Sequence, residues 1–327
     1  MTDAARPTND YFLRALDQVM LSSPVAFAKV PGEQGGPITI ASTDEIPGDR
    51  ILLGLALMAL AMFLIPVRDG LAKYMSGTLP VFTIAWGTYC AAALISAPIA
   101  IRKHGRGAIL PAGLPSQTAR TLLLVGAMTM FFFSIRTVPL ANAIAAYFVA
   151  PFVAAALAPI ALKEEFTWTV AGAVTIGFIG VVVVLRPDGN FDANILWAIA
   201  AGLFFALYML ATRLAARQAP PLAALSYQSV LGAIVLTPFA LVAGVQGAGA
   251  FLGVFALIGL LQSSSHGLSI AAFRFAPASV LAPLVYLEIV AAVIVGLVAF
   301  GDWPETQTWT GIAIIIAAGS LVALRRN

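Results

Sequence analysis

Two carboxylates, Asp69 and Glu288, are the only acids set inside the long apolar runs of this sequence. Glu288 stands eleven residues after Pro277 in a run that ends near Phe300, close to the middle of that run. An ionised side chain at the centre of a helix in lipid costs about 2.5–3.5 kcal/mol on insertion scales, so a role at a functional site is the default reading. Three roles fit a lone intramembrane acid: counter-charge to a cationic substrate, proton carrier, or hydrogen-bonding brace between helices. Asp69 follows Arg68 directly in "RDGLAKY" and lies four residues before Lys73, a spacing that lets acid and base pair along one helix face. Arg68 and Asp69 lie near the end of their run, which marks the pair as a gate or substrate-entry site. A second polar group is "LLQSSSHGLS", where Gln262 and His266 share a helix face four residues apart and Ser264 lies between them. His266 can shuttle protons or donate to a ligand; the same small and polar residues also let helices pack closely and bond across each other. Tyr147, Tyr208, Tyr286 and Trp86 fall within apolar runs, where aromatic rings either wall a cavity for a planar substrate or pack against lipid and neighbouring helices. Asn142 opens the fourth run, as a cap or a binding group. No nucleophile with its base and no cluster of metal ligands is seen, so neither a catalytic nor a metal site is expected, and no cofactor.

These residues must be positioned by helices in lipid. Hydrophobic residues make up 60% of the 327, and charged residues only 10%. Ordinary soluble domains are about 45–50% apolar and about 25% charged. The apolar runs are unbroken rather than alternating, which predicts helices and not a β-barrel. A helix needs roughly 20 residues to cross the hydrocarbon core. Ten runs qualify: 51–72, 79–101, 119–138, 140–162, 168–185, 193–212, 221–245, 250–273, 277–300 and 308–324. The fold class is therefore all-α integral membrane, with short loops and no room for a soluble domain. Residues 1–50 differ: they hold seven of the fifteen acids, and a mostly disordered cytoplasmic tail is expected, although "YFLRALDQVML" can form a short amphipathic helix.

The basic residues fix an expected orientation. Arg50, Arg102, Lys103, Arg106, Arg120, Lys163, Arg213, Arg217, Arg274, Arg325 and Arg326 fall on one side; Arg68, Lys73, Arg136 and Arg186 fall on the other. The positive-inside rule then places both termini in the cytoplasm of a multi-pass inner-membrane protein. The net charge of +3 is spread between apolar runs, which argues for topology and membrane lipid rather than nucleic acid as the partner.

The halves echo each other. Arg136 and Pro139 recur as Arg274 and Pro277, and Glu164 as Asp302, each 138 residues on; Lys73 and Pro80 recur as Arg213 and Pro220 at 140. An odd number of spans per half makes the second half thread the membrane in the opposite sense. Two inverted five-helix repeats, at 51–186 and 193–326, are thus expected. Inverted repeats suit a secondary transporter, with its site near the midplane between the halves.

The stretches "APFVAAALAPIALKEEFTW" and "APLVYLEIVAAVIVGLVAFGDWPETQTWTG" resemble the ten-helix EamA-type branch of the drug/metabolite transporter superfamily. Leu287-Glu288-Ile289 departs from that pattern by lacking a proline, and "YLE" together with the "RDGLAKY" region resembles the S-adenosylmethionine uptake carriers within the branch. The resemblance implies alternating-access transport of a small metabolite, amino acid-like or nucleoside- and S-adenosylmethionine-like. It implies a cavity between helices one to four and six to nine, with helices five and ten peripheral. With no ATP site visible, energy would come from a proton gradient or a counter-substrate. A non-transporting scaffold or flippase-like protein is the alternative, an enzyme the least supported, and a homodimer stays open.

Overall fold

The computed structural model describes residues 48–105, 110–162, 168–185, 192–215 and 218–325. All ten apolar runs carry helix there, and no strand occurs among the described residues. The first three spans are α1 (Gly48–Ser76), α2 (Val81–His104) and α3 (Leu114–Ile135). The fourth is divided into α4 (Leu140–Tyr147) and α5 (Val149–Leu162), and the fifth is α6 (Trp168–Leu185). Then come α7 (Ile195–Ala215), α8 (Pro221–Ala243) and α9 (Leu252–Ala272). The ninth span is composite: α10 (Ala278–Leu281), a 3-10 stretch (Ala282–Tyr286) and α11 (Leu287–Phe300). The tenth is α12 (Thr306–Arg325). Among the described residues eight spans are long and apolar enough to cross a membrane, and Ala171–Leu185 is a shorter apolar helix. The tail reading for residues 1–47, the repeat landmark Glu164, and Arg106, Lys163, Arg186, Arg217 and Arg326 lie outside the described residues.

Proline explains most boundaries. Pro80, Pro139 and Pro220 stand at the N-cap positions of α2, α4 and α8, and Pro115 opens α3; a missing N–H is harmless there and φ is already helical. The fourth and ninth runs, expected as continuous helices, are interrupted. Pro151 lies at the third position of α5, and its ring would clash with the carbonyl four residues back, at Tyr147, so the chain breaks at Phe148. The freed Tyr147 carbonyl lies against Gly202, where a β-carbon would be 2.7 Å from that oxygen. Pro283 stands at the start of the 3-10 stretch that interrupts the ninth span. Both interruptions fall beside a tyrosine, Tyr147 and Tyr286. The third span also differs from expectation: α3 starts at Leu114, not 119, and carries Arg120 inside the helix.

The helices pack in a pattern that survives exchange of each span for the one five later. The α1–α9 contact has its counterpart in α7–α3, and α1–α11 in α7–α5, while α2–α8 and α6–α12 map onto themselves. The α6–α12 pair packs on itself and on the fourth and ninth spans, away from α1, α2, α3, α8 and α9. Apolar side chains also cover the outside, as at Val242, which is 91% exposed; such a surface suits lipid. Polar and charged residues collect inside, at Arg68, Asp69, Gln117, Arg120 and Gln228, all buried.

Candidate functional site

One polar network is built on α1 and α9. Arg68 Nε donates to Asp69 Oδ1 at 2.9 Å, and Nη2 donates to the same oxygen. Both side chains are buried, so the pair is held by mutual need: removing either charge leaves the other uncompensated. Arg68 Nη1 donates to Gln262 Oε1 on α9. With its oxygen accepting, Gln262 turns its amide nitrogen to His266 Nε2, 2.7 Å away. An amide nitrogen only donates, so in this pairing His266 Nε2 is the acceptor. Glu288, in the first turn of α11, lies within electrostatic reach of Arg68, Asp69 and Tyr147. The fold thus joins the sequence candidates Arg68, Asp69, Gln262 and His266 in one network, with Glu288 within electrostatic reach of it.

The expected Asp69–Lys73 pair does not form. Asp69 is 2% exposed and already bonded by its neighbour's guanidinium. Lys73, a turn nearer the helix end, donates instead to the Val138 carbonyl at 2.7 Å. It also stands 3.6 Å from Asp302 and over the ring of Phe300. It fastens the end of α1 to the loops after the third and ninth spans.

A second network joins α3, α7 and α8. Arg120 Nη1 donates to Gln117 Oε1 at 3.1 Å, and Nη2 to Gln228 Oε1 at 3.1 Å and to the Tyr208 hydroxyl at 3.3 Å. The Tyr208 hydroxyl donates in turn to Gln228 Oε1 at 3.3 Å, and its ring lies under the guanidinium. Arg120 was expected in a loop as a topology marker; it is 8% exposed in the second turn of α3. The sequence reading also missed Gln117 and Gln228. The signal was present: Pro115 announces a helix start, and Gln117 and Arg120 lie three apart on one face.

Between the networks is a cavity of about 30 Å³, room for one or two water molecules. Its walls include Gln262 from the first network and Gln228 from the second, with Thr88, Tyr89 and Ser229. Rings form a file alongside: Tyr147 and Phe205 are 5.1 Å apart and Phe205 and Tyr208 5.4 Å. Thr83 donates to the Gly244 carbonyl at 2.8 Å at one end, where Lys73 also bonds; Thr118 and Tyr227 share a 2.7 Å bond toward the other.

The remaining sequence candidates lie elsewhere. Trp86 Nε1 donates to Thr237 at 3.0 Å, and Tyr286 packs on Phe148 and against Gly319 of α12. Asn142 does not cap α4; its buried Oδ1 has no partner. The Ser264 hydroxyl joins neither network, whereas Ser265 donates to the Ala61 carbonyl at 2.9 Å. A larger hollow of about 400 Å³ lies at the loop before α12, lined by Trp303, Glu305 and Trp309 among others, remote from both networks. Among the described residues no three His, Cys, Asp or Glu are grouped to hold a metal ion.

Comparison with known proteins gives these likenesses. The EamA-like transporter family matches residues 52–186 and again residues 193–324. The S-adenosylmethionine uptake transporter of Rickettsia prowazekii (strain Madrid E) is 26% identical over 268 residues, covering 82% of this chain and 91% of that protein. A riboflavin transporter of Rhizobium johnstonii is 26% identical over 287 residues, 85% of this chain and 93% of that one. A solved crystal structure superposes with a TM-score of 0.55 at 19% identity, covering 84% of this chain and 96% of the other.

Proposed function

We propose a function from one premise: this chain belongs to the EamA-like transporter family and is a multi-pass membrane transporter. Its task is secondary active transport of a small metabolite, amino acid-like or S-adenosylmethionine-like, across the inner membrane, with both termini cytoplasmic. The observation that carries this reading is the cavity lined by both Gln262 and Gln228, one from each buried charged network. The small volume fits a closed state, in which neither end admits substrate.

Alternating access follows from two inverted five-helix repeats. The exchange symmetry of the helix contacts supports this, because two packings related by swapping the halves have similar energies. Opening one end then separates α1 from the loops that Lys73 fastens, and opening the other separates α3 from α8. Glu288 couples the motion to a proton or holds the cationic part of the substrate, beside Arg68 and Asp69. Tyr147, Phe205 and Tyr208 supply ring faces for a planar moiety.

The test is flux in liposomes containing purified protein, with S-adenosylmethionine, amino acids and riboflavin offered down a gradient and by exchange. Movement of an S-adenosylmethionine-like or amino acid-like compound is expected; movement of none of the three classes contradicts the reading. Glu288→Gln is expected to abolish transport or its pH dependence while the protein stays folded. Unchanged flux with an unchanged pH profile would remove Glu288 from the mechanism.

A further inference from the structure

Resting on the carrier reading above, we infer that Arg120 is the anion-binding residue of the site, and that the substrate brings it a carboxylate. The argument begins with charge. Arg68 is neutralised by Asp69 at 2.9 Å, within its own network. Among the described residues Arg120 bonds no acid: its partners, Gln117, Gln228 and Tyr208, are neutral. A guanidinium is charged at any physiological pH, so a full positive charge is buried here with no ion-pair partner among the described residues. A charge so placed is paired in nearly every buried setting, by protein or by ligand.

Hydrogen-bond accounting agrees. Arg120 Nε, the amide nitrogen of Gln117 and the hydroxyl of Tyr89 are buried without partners. The two nitrogens are donors only, and the hydroxyl can donate. The nearby acceptors are already shared, since Gln228 Oε1 receives both Arg120 and Tyr208. A cluster with surplus donors and surplus positive charge is complementary to an acceptor-only anion. Tyr89 and Gln228 line the cavity, and Arg120 reaches it through its bond to Gln228, so this network borders the space where substrate is proposed to sit. A carboxylate offers two oxygens to the planar fork of an arginine, which is the geometry this residue type serves best.

The opposite wall selects the other end of the molecule. Beyond Gln262 stands the Arg68–Asp69 pair, and the Glu288 carboxyl lies within electrostatic reach of it. A substrate with its carboxylate at Arg120 and a cationic group toward Glu288 satisfies both walls. The substrate class is therefore a zwitterionic compound carrying an α-amino acid group. An uncharged ring system such as riboflavin meets neither demand.

The experiment compares acids with their carboxyl-free or amidated counterparts. In liposomes, wild-type protein is offered S-adenosylmethionine and its decarboxylated form, and the acid is expected to be moved with the lower KM. Arg120→Gln is expected to raise the KM for S-adenosylmethionine roughly 10- to 100-fold, the effect of losing a charged hydrogen bond, and to erase the discrimination. Arg120→Lys should recover part of it. Equal KM for both compounds in wild type, or an unaltered KM and discrimination in Arg120→Gln, overturns the inference. A second measurement keeps it distinct from the carrier reading: thermal stabilisation of the detergent-solubilised wild type by L-methionine and L-phenylalanine against their amides. Stabilisation by the acids alone supports Arg120 even if no flux is seen, which would count against transport only. Equal stabilisation by acids and amides, or by neither, overturns the carboxylate assignment while leaving any flux standing.

Discussion

The α1–α9 contact and the α7–α3 contact occupy corresponding places in the two proposed halves, yet they carry charge differently. On α1, Arg68 reaches Gln262 across the interface; at a shift of 140 residues Tyr208 stands in its place on α7 and faces Arg120 on α3. Each contact thus holds one arginine and one neutral polar group, with the arginine on opposite partners. Only the first has a carboxylate, because Asp69 corresponds to Met209. The first contact is electrostatically complete and can serve as structure; the second is incomplete and has capacity to bind. On the proposed alternating-access reading, shared helix packing with unequal charge would let a nearly symmetric frame open at either end while holding an asymmetric substrate in one orientation.

Substitutions on the two arginines break this comparison most sharply. Arg68→Met strands Asp69 in the bundle and is expected to lower stability by about 3–5 kcal/mol, the cost of an uncompensated buried charge, seen as a large drop in thermal midpoint in detergent. Adding Asp69→Leu should recover most of that loss. Arg120→Met strands no acid, so its midpoint should fall far less than that of Arg68→Met, although transport is lost. Equal destabilisation by the two would erase the distinction. Next in size is Gly202→Ala, where α7 meets the Tyr147 carbonyl but Met62 stands at the corresponding place on α1. Overpacking there should cost about 1–3 kcal/mol and shift the aromatic file, lowering flux and midpoint together. Lys73→Met removes the bond to Val138 and the Asp302 pair, with a loss of about 1 kcal/mol and faster opening of that end, readable as a higher exchange rate. Trp303→Ala, 65% exposed and far from both networks, should change the midpoint by less than about 0.5 kcal/mol equivalent and leave flux alone.

Much of the frame was legible in sequence because lipid forces a simple rule: roughly 20 apolar residues per crossing. The same rule hid its exceptions. Hydropathy does not register hydrogen bonds, so Pro151 and Pro283 passed unnoticed in apolar runs where they interrupt helices. It also started α3 too late, since the polar opening Leu114–Arg120 reads as loop; that placed Arg120 outside the bundle it belongs to. Glu288 and Asp69 were legible because an acid in an apolar run stands out alone. Asp69 was nevertheless assigned to Lys73, because helical spacing states which residues share a face and not which charge the interior has already met. Gln228 gave no such signal, being one amide in a helix with other polar residues, and only packing set it on the same cavity as Gln262.

The central claim is that the space between Gln262 and Gln228 widens to take substrate from each side of the membrane. A single reactive cysteine tests it. With Cys90→Ser removing the chain's one native thiol, Ser229→Cys places a new one in the cavity wall, where Ser229 is now 2% exposed. The account predicts that this thiol is labelled by membrane-impermeant reagents applied from either side, and that saturating S-adenosylmethionine slows the labelling. A variant that still transports but is never labelled from either side would contradict it.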